Sequence, residues 1–439
     1  MTINRRDFLA TTGLSAAGGL LSSAHPDSDP ALTGGPEPDL RDWAEVRDQF
    51  DLSRDYIHLS SFFLTSHPRP VREAIEKHRR AIDENPYLYV EHGLWETTEQ
   101  VRASAAEYLG ARTEEVALTN STTMGLAFIY NGLPLKAGQE ILTTTHEHIV
   151  HSESIHIAAE RAGATVRKIS LYDDFQSISE EDIVRRVTKA VGPKTRAVGV
   201  TWVHSGTGVK LPLRRLAEAL DRVNAGRDEA DRALLIVDGV HGLGVEDETV
   251  AQTGCDFFAA GTHKWIFGPR GTGLIWAKSE AWRLMRPTFP QIDFDTFKAW
   301  MRGEELRGPR AMTARGVSPG GFHSFEYDWA LPAAFDFHRR IGRARVAGRI
   351  HDLNEQCKEG LARMGHVKLY TPRGDKLSAG IICFDVEGMK PEEVVKRLLA
   401  RRVIASTSPY APSFARLAPS LMNSPEEIET ALREVRALA

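Results

Sequence analysis

From Glu115 onward, short apolar runs alternate with amphipathic helical patterns, and this alternation constrains the fold more than any other feature. Continuous runs of β-branched residues and leucine are typical of strands buried on both faces of a parallel sheet. The predicted strands are Val116–Thr119, Glu140–Thr144, Thr165–Leu171, Ala197–Val203, Leu234–Val237, Phe257–Ala260 and Gly273–Lys278. The pattern predicts an α/β fold with a mostly parallel sheet covered by helices.

The pattern changes after Ser318, which predicts a second, smaller α/β unit. Its predicted elements are the helix Phe325–Arg349, the strand Ala379–Val386, and the helices Pro391–Ala400 and Ser424–Leu438. We therefore predict a large domain over residues 111–317 and a small C-terminal domain over residues 318–439. Residues 39–110 are predicted to contribute helices to the small domain.

The first 24 residues resemble a twin-arginine export signal. Arg5 and Arg6 precede Phe8 and Leu9, and a weakly apolar, glycine-rich stretch follows. That stretch is too short and too rich in glycine for a membrane span, which needs about 20 apolar residues. Residues 25–38 are rich in Pro, Asp, Gly and Ser and read as a linker. The sequence thus predicts recognition by the twin-arginine export machinery, cleavage near Ala24, and a periplasmic or extracellular protein.

Charge and cysteine content narrow the class of partner. The formal net charge is −4 and the basic residues are scattered, which gives no electrostatic footprint for nucleic acid. The three cysteines, Cys255, Cys357 and Cys383, show no CxxC spacing, so neither a disulfide framework nor a thiolate zinc site is indicated. A small molecule is the expected partner, and no metal is expected.

Polar side chains follow several of the predicted strands. Asp238 ends the run beginning at Leu234, His148 follows the strand around Ile141, and Ser205 and Thr207 follow the strand ending at Val203. Ligands of open α/β sheets bind at the carboxyl ends of the strands. These residues are therefore predicted to gather at one edge of the sheet and to form a binding site.

Lys264 stands directly after a buried strand and beside a glycine-rich turn. Desolvation or neighbouring positive charge can lower the pKa of such an amine and make it a nucleophile toward carbonyl groups. Asp238 is suited to hold a proton on a pyridinium ring. The hydroxyl cluster Ser121–Thr123 opens a helix in the manner of a phosphate site. Taken singly, the lysine could be a surface residue, and the aspartate and the hydroxyls could be caps.

Taken together, these motifs resemble the class V aminotransferase group of fold-type I pyridoxal-phosphate enzymes. The shared order is Ser-Thr-Thr, Glu-His, Asp-x-x-His, His-Lys, Gly-Pro-x-Gly-x-Gly and Arg, and the resemblance runs from about Asp55 to the C-terminus. It implies a fold-type I architecture with a seven-stranded, mostly parallel sheet in the large domain. It also implies pyridoxal 5'-phosphate as cofactor and a homodimer.

The resemblance assigns roles to individual residues. Lys264 would hold the cofactor as a Schiff base, Asp238 would meet its ring nitrogen, and His148 would stack on its ring. Arg416 would grip the substrate carboxylate, for which a guanidinium fork is suited. The remaining cofactor-binding positions are His241 and Ser205 at the phenolic oxygen, and Ser121, Thr122, Thr123 and His263 at the phosphate.

Two segments depart from the family pattern. Cysteine desulfurases carry a catalytic cysteine on the loop before the arginine segment, but residues 406–412 read Ser-Thr-Ser-Pro-Tyr-Ala-Pro. The chain is therefore predicted not to be a cysteine desulfurase. The stretch Phe-Glu-x-Gly-Thr, which reaches the phosphate of the neighbouring subunit, reads Phe-Glu-Tyr-Asp-Trp at residues 325–329. Whether the site is shared between subunits stays open.

Several functions fit this sequence. Chemistry at the α-carbon of an amino acid would give transamination if the proton returns to the cofactor, and epimerisation, as in isopenicillin N epimerase, if it returns to the opposite face. With its export signal and without the desulfurase cysteine, the chain also resembles the periplasmic members of the group, which modify an amino-acid side group of the siderophore pyoverdine. Two alternatives come from other classes of protein: a noncatalytic exported binding protein, and a nucleotide-binding oxidoreductase that uses Gly268–Gly273 as a phosphate loop. No G-x-G-x-x-G motif follows the first strand of the sequence, which argues against the oxidoreductase.

Overall fold

The computed structural model describes residues 37–173, 175, 178–290, 294–305, 312–318, 321 and 323–439. Residues Asp39–Ala439 form one compact unit. The predicted export signal at residues 1–24 and most of the predicted linker at residues 25–38 lie outside the described residues. The division of the compact unit into large and small domains stays a prediction.

A seven-stranded sheet forms the centre of the compact unit. Its strands are β2 (Val116–Thr119), β3 (Glu140–Thr144), β4 (Thr165–Ile169), β5 (Thr195–Thr201), β6 (Leu234–Asp238), β7 (Phe257–Gly261) and β8 (Gly273–Ala277), which follow the two-residue strand β1 (Ile57–His58) in the chain. Their order is β2-β8-β7-β6-β5-β3-β4, and only β8 runs antiparallel to its neighbours. The predicted mostly parallel sheet is confirmed, and each predicted strand lies within two residues of its observed ends.

Helices follow the strands as the amphipathic patterns predict. The α-helices in the described part of residues 39–318 are α1 (Trp43–Asp48), α2 (Arg69–Glu84), α3 (Pro86–Leu109), α4 (Thr122–Gly132), α5 (Ile149–Ala162), α6 (Glu180–Ala190), α7 (Leu213–Asn224), α8 (Val250–Thr253), α9 (Ser279–Leu284), α10 (Phe294–Met301) and α11 (Ala314–Val317). In α7, Leu213, Leu216 and Leu220 recur at helical spacing and are buried. Strands β5, β6 and β7 are buried along their whole length, as expected for a sheet covered on both faces.

The C-terminal part contains further helices and a small antiparallel sheet of order β12-β13-β10-β9. Its elements are α12 (Phe325–Asp328), α13 (Leu331–Ile341), α14 (Arg343–Ala362), β9 (Val367–Leu369), β10 (Ile382–Val386), α15 (Pro391–Ala400), β11 (Val403–Ile404), β12 (Ser406–Thr407), β13 (Ala415–Leu417) and α16 (Pro425–Arg436). The predicted single helix Phe325–Arg349 is wrong. It is interrupted at Trp329 and again at Gly342, whose φ of 95° no helix contains.

The N-terminal segment, residues 39–110, pairs and packs with the C-terminal part of the chain. Strand β1 pairs in parallel with β11, and Ser60 bridges to Ala418. Helices α2 and α3 pack against α12 and α13. Thr65 of the same segment bonds the backbone carbonyls of His263 and Lys264 just after β7, so it lies at the carboxyl-terminal edge of the large sheet. No helix in the described ranges has the length and apolar character needed to cross a membrane.

Candidate active site

A cavity of about 600 Å³ opens at the carboxyl-terminal edge of the large sheet. All residues predicted to bind a cofactor or substrate line it: Ser121, Thr122, Thr123, His148, Ser205, Asp238, His241, His263, Lys264 and Arg416. They end or follow β2, β3, β5, β6 and β7 or lie on β13, so the parallel strands bring their ends to one place. The structure brings these residues together around one cavity. The role assigned to each of them stays a prediction. Thr207 does not line the cavity and instead bonds Tyr172 through its hydroxyl at 2.9 Å.

Lys264 is partly buried in the turn after β7. Burial lowers the pKa of its amine to about 8; the carboxylate of Asp238 opposes this shift, and the charge of Arg416 adds to it. The Oγ1 of Thr65 fixes the turn because it lies 3.0 Å from the carbonyl oxygens of both His263 and Lys264. At this pKa about a tenth of the amine is neutral at pH 7, far more than for an ordinary lysine, and the neutral amine is the nucleophile.

Asp238 is the last residue of β6 and is only 2% exposed. Its Oδ1 accepts the backbone N–H of Val240 at 3.1 Å. Burial raises the pKa of this carboxyl, while the nearby ring of His151 and the amine of Lys264 oppose the shift. A buried carboxylate with one hydrogen bond fits a protonated ring nitrogen, which would supply both a donor and a counter-charge.

His241 lies between Lys264 and Trp265. Its Nε2 is 3.4 Å from the Nζ of Lys264, and its Nδ1 accepts the indole N–H of Trp265 at 3.3 Å. Burial and the neighbouring charges of Lys264 and Arg416 hold the pKa of His241 well below its usual range. The ring is therefore neutral at ordinary pH.

The hydroxyl cluster is located at the N-terminus of α4. Ser121 caps this helix by accepting the N–H of Met124 at 3.2 Å, and Thr122 accepts the N–H of Gly261 at 2.8 Å. His263 stands beside them, and burial together with the charge of Lys264 lowers its pKa to about 4. Unpaired amides at a helix N-terminus and short hydroxyl side chains fit a phosphate group.

His148 caps α5, with its Nδ1 accepting the N–H of Val150 at 3.4 Å. Burial lowers its pKa, opposed by the charge of Asp238. Its ring meets the ring of Tyr410 edge-on at a centroid distance of 6.1 Å. Tyr410 in turn bonds the hydroxyl of Ser205 at 2.6 Å, so Ser205 is tied to the loop that carries β12.

Arg416 is buried, and its hydrogen-bond partners are neutral. Nη1 donates to the carbonyl of Ser205 and Nη2 to that of Thr407, each at 2.8 Å, while Nε donates to the hydroxyl of Ser406 at 3.2 Å. The guanidinium also lies 4.2 Å over the ring of Phe62. A guanidinium has five N–H donors, so two remain for a ligand, and an anionic ligand would satisfy the charge.

A buried polar cluster lies behind the cavity, and its centre is Glu147. Its carboxylate accepts from Thr144 at 2.6 Å and from His151 at 2.8 Å, and Thr201, which lines the cavity, also donates to it. Burial alone would raise the pKa of Glu147, but the hydrogen bond and charge of His151 hold it at about 2. The cluster anchors the turn that presents His148.

Sequence reasoning missed the residues that reach the cavity from distant parts of the chain. Phe62 and Phe63 line it from the N-terminal segment, and Ser406, Thr407 and Pro409 line it from the loop around β12. No motif marks them. The only signal in the sequence was the position of residues 406–412 before the arginine segment.

The chain is similar to known proteins in sequence and in fold. The family model described as aminotransferase class-V matches residues 65–410. Isopenicillin N epimerase of Amycolatopsis lactamdurans is 27% identical over 78% of this chain and 84% of its own length. A probable cysteine desulfurase of Halalkalibacterium halodurans is 27% identical over 80% and 82%. The solved structure of a C-DES mutant with glycine covalently linked to the PLP cofactor has a TM-score of 0.79 and 22% identity, and covers 89% of this chain and 98% of that one.

Proposed function

Because the chain belongs to the class-V aminotransferase family, whose model spans most of its length, we propose that it performs chemistry at the α-carbon of an amino-acid substrate through Lys264. The predicted resemblance, the fold-type I architecture and pyridoxal phosphate as cofactor are confirmed. The observation that carries the proposal is the amine of Lys264, with a pKa of about 8, in one cavity with Asp238 and Arg416.

When bound, pyridoxal phosphate supplies an electron sink for negative charge at the substrate α-carbon. Asp238 would hold the proton on its ring nitrogen, and His148 would hold its ring plane. The N-terminus of α4 with Ser121, Thr122, Thr123 and His263 would bind the phosphate. Arg416 would bind the substrate carboxylate through the two donors that its protein partners leave, and Lys264 would remove the α-proton.

Two outcomes of α-proton removal are candidates. Epimerisation is supported by the similarity to isopenicillin N epimerase. Transamination is supported by Lys264 itself, because it is the only amine among the residues that line the cavity in the described part of the chain. One base on one face is enough to move a proton from the substrate α-carbon to a carbon of the cofactor.

Deuterium exchange separates these outcomes. Holoenzyme is incubated with single amino acids and short peptides in deuterated water, and the products are analysed by chiral chromatography and for keto acids. We expect α-deuterium incorporation that the Lys264→Ala variant lacks. Inverted product identifies an epimerase, and keto acid identifies a transaminase. Holoenzyme that exchanges no substrate α-proton would refute α-carbon chemistry.

We also propose that the chain is not a cysteine desulfurase, although a probable desulfurase is among its relatives. All three cysteines are buried, burial raises the pKa of each thiol to about 12, and none lines the cavity. A sulfur-accepting nucleophile must be an accessible thiolate. Incubation with cysteine and dithiothreitol as reductant should release neither sulfide nor alanine, and release of both in equal amounts would contradict this proposal.

Export by the twin-arginine route is proposed from Arg5 and Arg6, from Phe8 and Leu9, and from the weakly apolar stretch that follows them. Residues 1–38 fused to a reporter should direct it out of the cytoplasm, and replacing both arginines by lysine should retain it. If export holds, an exported siderophore peptide of the pyoverdine type is the narrower substrate candidate. Exchange with such a peptide, but not with free amino acids, is the result expected for that substrate.

A homodimer is proposed from apolar side chains beside the cavity. Phe63 is 74% exposed, Ile149 66% and Met124 56%. Exposed apolar clusters of this kind are typical of subunit contacts. Sedimentation should give twice the chain mass, and replacing Phe63 and Ile149 by serine should shift it toward the monomer. A monomer at all concentrations would exclude the homodimer.

A further inference from the structure

We propose that Trp265 is a positioning residue: its indole fixes His241 with the proton on Nε2, so that His241 presents an N–H group to the amine of Lys264. The inference rests on the proposed role of Lys264 as the amine that links the cofactor. It assigns a function to a buried tryptophan that lies outside the lining of the cavity.

The indole of Trp265 determines which nitrogen of His241 carries the proton. An indole nitrogen is a donor only, and Nε1 of Trp265 lies 3.3 Å from Nδ1 of His241. Nδ1 must therefore offer its lone pair. A neutral imidazole carries one proton, so that proton is on Nε2, and Nε2 is the nitrogen 3.4 Å from the Nζ of Lys264.

His241 is neutral because its surroundings disfavour a second proton. Burial is the main cause of its low pKa, and the positive charges nearby reinforce it. The titratable and charged groups acting on His241 and Lys264 are Asp238, Arg416, His148 and His263. Only Asp238 is acidic, and it is separated from His241 by one turn of chain, in which its Oδ1 accepts the N–H of Val240.

Trp265 has no freedom to turn its donor elsewhere. The side chain is 1% exposed. Gly244, with φ of 87°, lies against its backbone, where a Cβ would come within 2.8 Å of the Trp265 carbonyl carbon. Gly380, with φ of 66°, lies against the ring, where a Cβ would come within 3.0 Å of Cζ2. The two glycines allow the close packing that sets the direction of the indole N–H.

An N–H group facing an amine favours the amine that has a lone pair to accept it. Nε2–H of His241 therefore stabilises the neutral form of Lys264, and a lone pair at the same position would instead stabilise the ammonium. The fixed tautomer adds to burial in keeping Lys264 reactive. With the cofactor bound, the same N–H would be available to donate to its phenolic oxygen.

The tautomer is measured directly in the cofactor-free protein. Long-range proton–nitrogen correlation of protein labelled with ¹⁵N-histidine distinguishes a protonated Nε2 from a protonated Nδ1, and the signal that disappears in His241→Gln identifies His241. We expect a protonated Nε2 and a bare Nδ1. A proton on Nδ1 would overturn the proposal, whatever the variants do.

Trp265→Phe removes the donor, and Trp276→Phe is the matched control. Trp276 is also buried, and its indole bonds Glu115 at 3.4 Å, away from the cavity. In Trp265→Phe we expect mixed His241 tautomers and an upward shift of roughly one pH unit in the pKa of Lys264, the size of one hydrogen bond. The pKa is read from the pH dependence of covalent pyridoxal phosphate attachment to apoprotein, trapped with borohydride. The control should show neither change.

A double variant separates positioning from loss of packing. In His241→Leu no polar atom at position 241 faces Lys264, so adding Trp265→Phe should not move the pKa of Lys264 further. An equal shift in both backgrounds would show that Trp265 acts only through packing. Mapping the borohydride-fixed cofactor in the unaltered protein tests Lys264 separately: attachment elsewhere would refute the proposed function and leave the measured tautomer intact.

Discussion

Arg416 is a buried cation whose protein partners are carbonyls and a hydroxyl. Arg416→Lys keeps the charge but loses the fork that binds a carboxylate at two points. We expect KM for an amino acid to rise about 10- to 100-fold, the loss of one or two charged hydrogen bonds, with a smaller change in kcat. Steady-state kinetics measure both. Arg433→Lys, at the exposed end of α16, is the control, and an unchanged KM in Arg416→Lys would remove it from the substrate site.

The lowered pKa of Lys264 predicts how the cofactor-free protein responds to pH. The folded pKa is about 8 and the unfolded value is 10.5, so between these values the unfolded state binds a proton that the folded state does not. Burial of Lys264 therefore costs no stability above pH 10.5, where the amine is neutral in both states. As the pH falls from 10.5 through 8 the free energy of unfolding decreases, and this loss is the cost of burying the amine.

Lys264→Met removes this cost. We expect the apoprotein variant to exceed the unaltered protein in free energy of unfolding by about 3 kcal/mol at pH 7, and the difference to shrink toward pH 10. Urea unfolding at several pH values measures this, with Lys396→Met at an exposed site as control. A difference that does not depend on pH would mean that Lys264 titrates normally.

At this scale, the sequence could predict residues that belong to recognisable motifs. Lys264, Asp238 and the hydroxyls near Ser121 follow strands whose ends are fixed by hydrophobic pattern. Phe62 and Trp265 could not be assigned, because their roles come from contacts with residues far away in the chain or from the direction of a single N–H.

Among the elements, the turn from β3 to α5 depends on one buried carboxylate. Glu147→Gln keeps its shape but removes the charge that accepts from Thr144, Thr201 and His151. Breaking a buried charged pair on one side costs about 3 kcal/mol, which we expect as the loss in unfolding free energy at pH 7.

The pH dependence of this loss in unfolding free energy tests whether the lost charge of Glu147 is its cause. The pKa of Glu147 is about 2 in the fold against 4.5 outside it, so its stabilisation is present above pH 4.5 and is lost toward pH 2. The deficit of Glu147→Gln in urea unfolding should shrink over that range. Glu153→Gln, exposed on the helix α5 that follows this turn, should show no deficit. A constant deficit in Glu147→Gln would exclude an electrostatic origin.

Two glycines near the start of α14 predict opposite effects of alanine. Gly342 separates α13 from α14 with φ of 95°, so Gly342→Ala should lower the free energy of unfolding by about 1–3 kcal/mol. Gly348 lies inside α14 with open space around its missing Cβ, so Gly348→Ala should raise it by about 0.5–1 kcal/mol. Thermal unfolding of both variants measures the pair, and effects of the same sign would refute the helix break.

The long predicted helix failed at this break for a physical reason. Its apolar spacing continues across Gly342, and a lone glycine is tolerated in many helices, so the pattern alone does not reveal a left-handed residue. The small sheet was incompletely predicted for a similar reason. Strands β9, β12 and β13 have two or three residues each, too few for an alternating pattern.

For the whole molecule, the three thiols report on global opening. Cys255, Cys357 and Cys383 are each fully buried, and burial raises the pKa of each to about 12. We expect no reaction with a disulfide reagent in the native state, and loss of all three thiols together at the rate of global unfolding. One thiol reacting early would show that its part of the chain opens independently.

The cavity is completed by side chains from opposite ends of the polypeptide: Phe62 lies under the guanidinium of Arg416, and β1 pairs with β11. The lining of the cavity is therefore complete only when two segments more than 300 residues apart in the chain have met. Contacts of such long sequence separation carry a large loop-closure cost, so we expect the cavity to be completed late in folding.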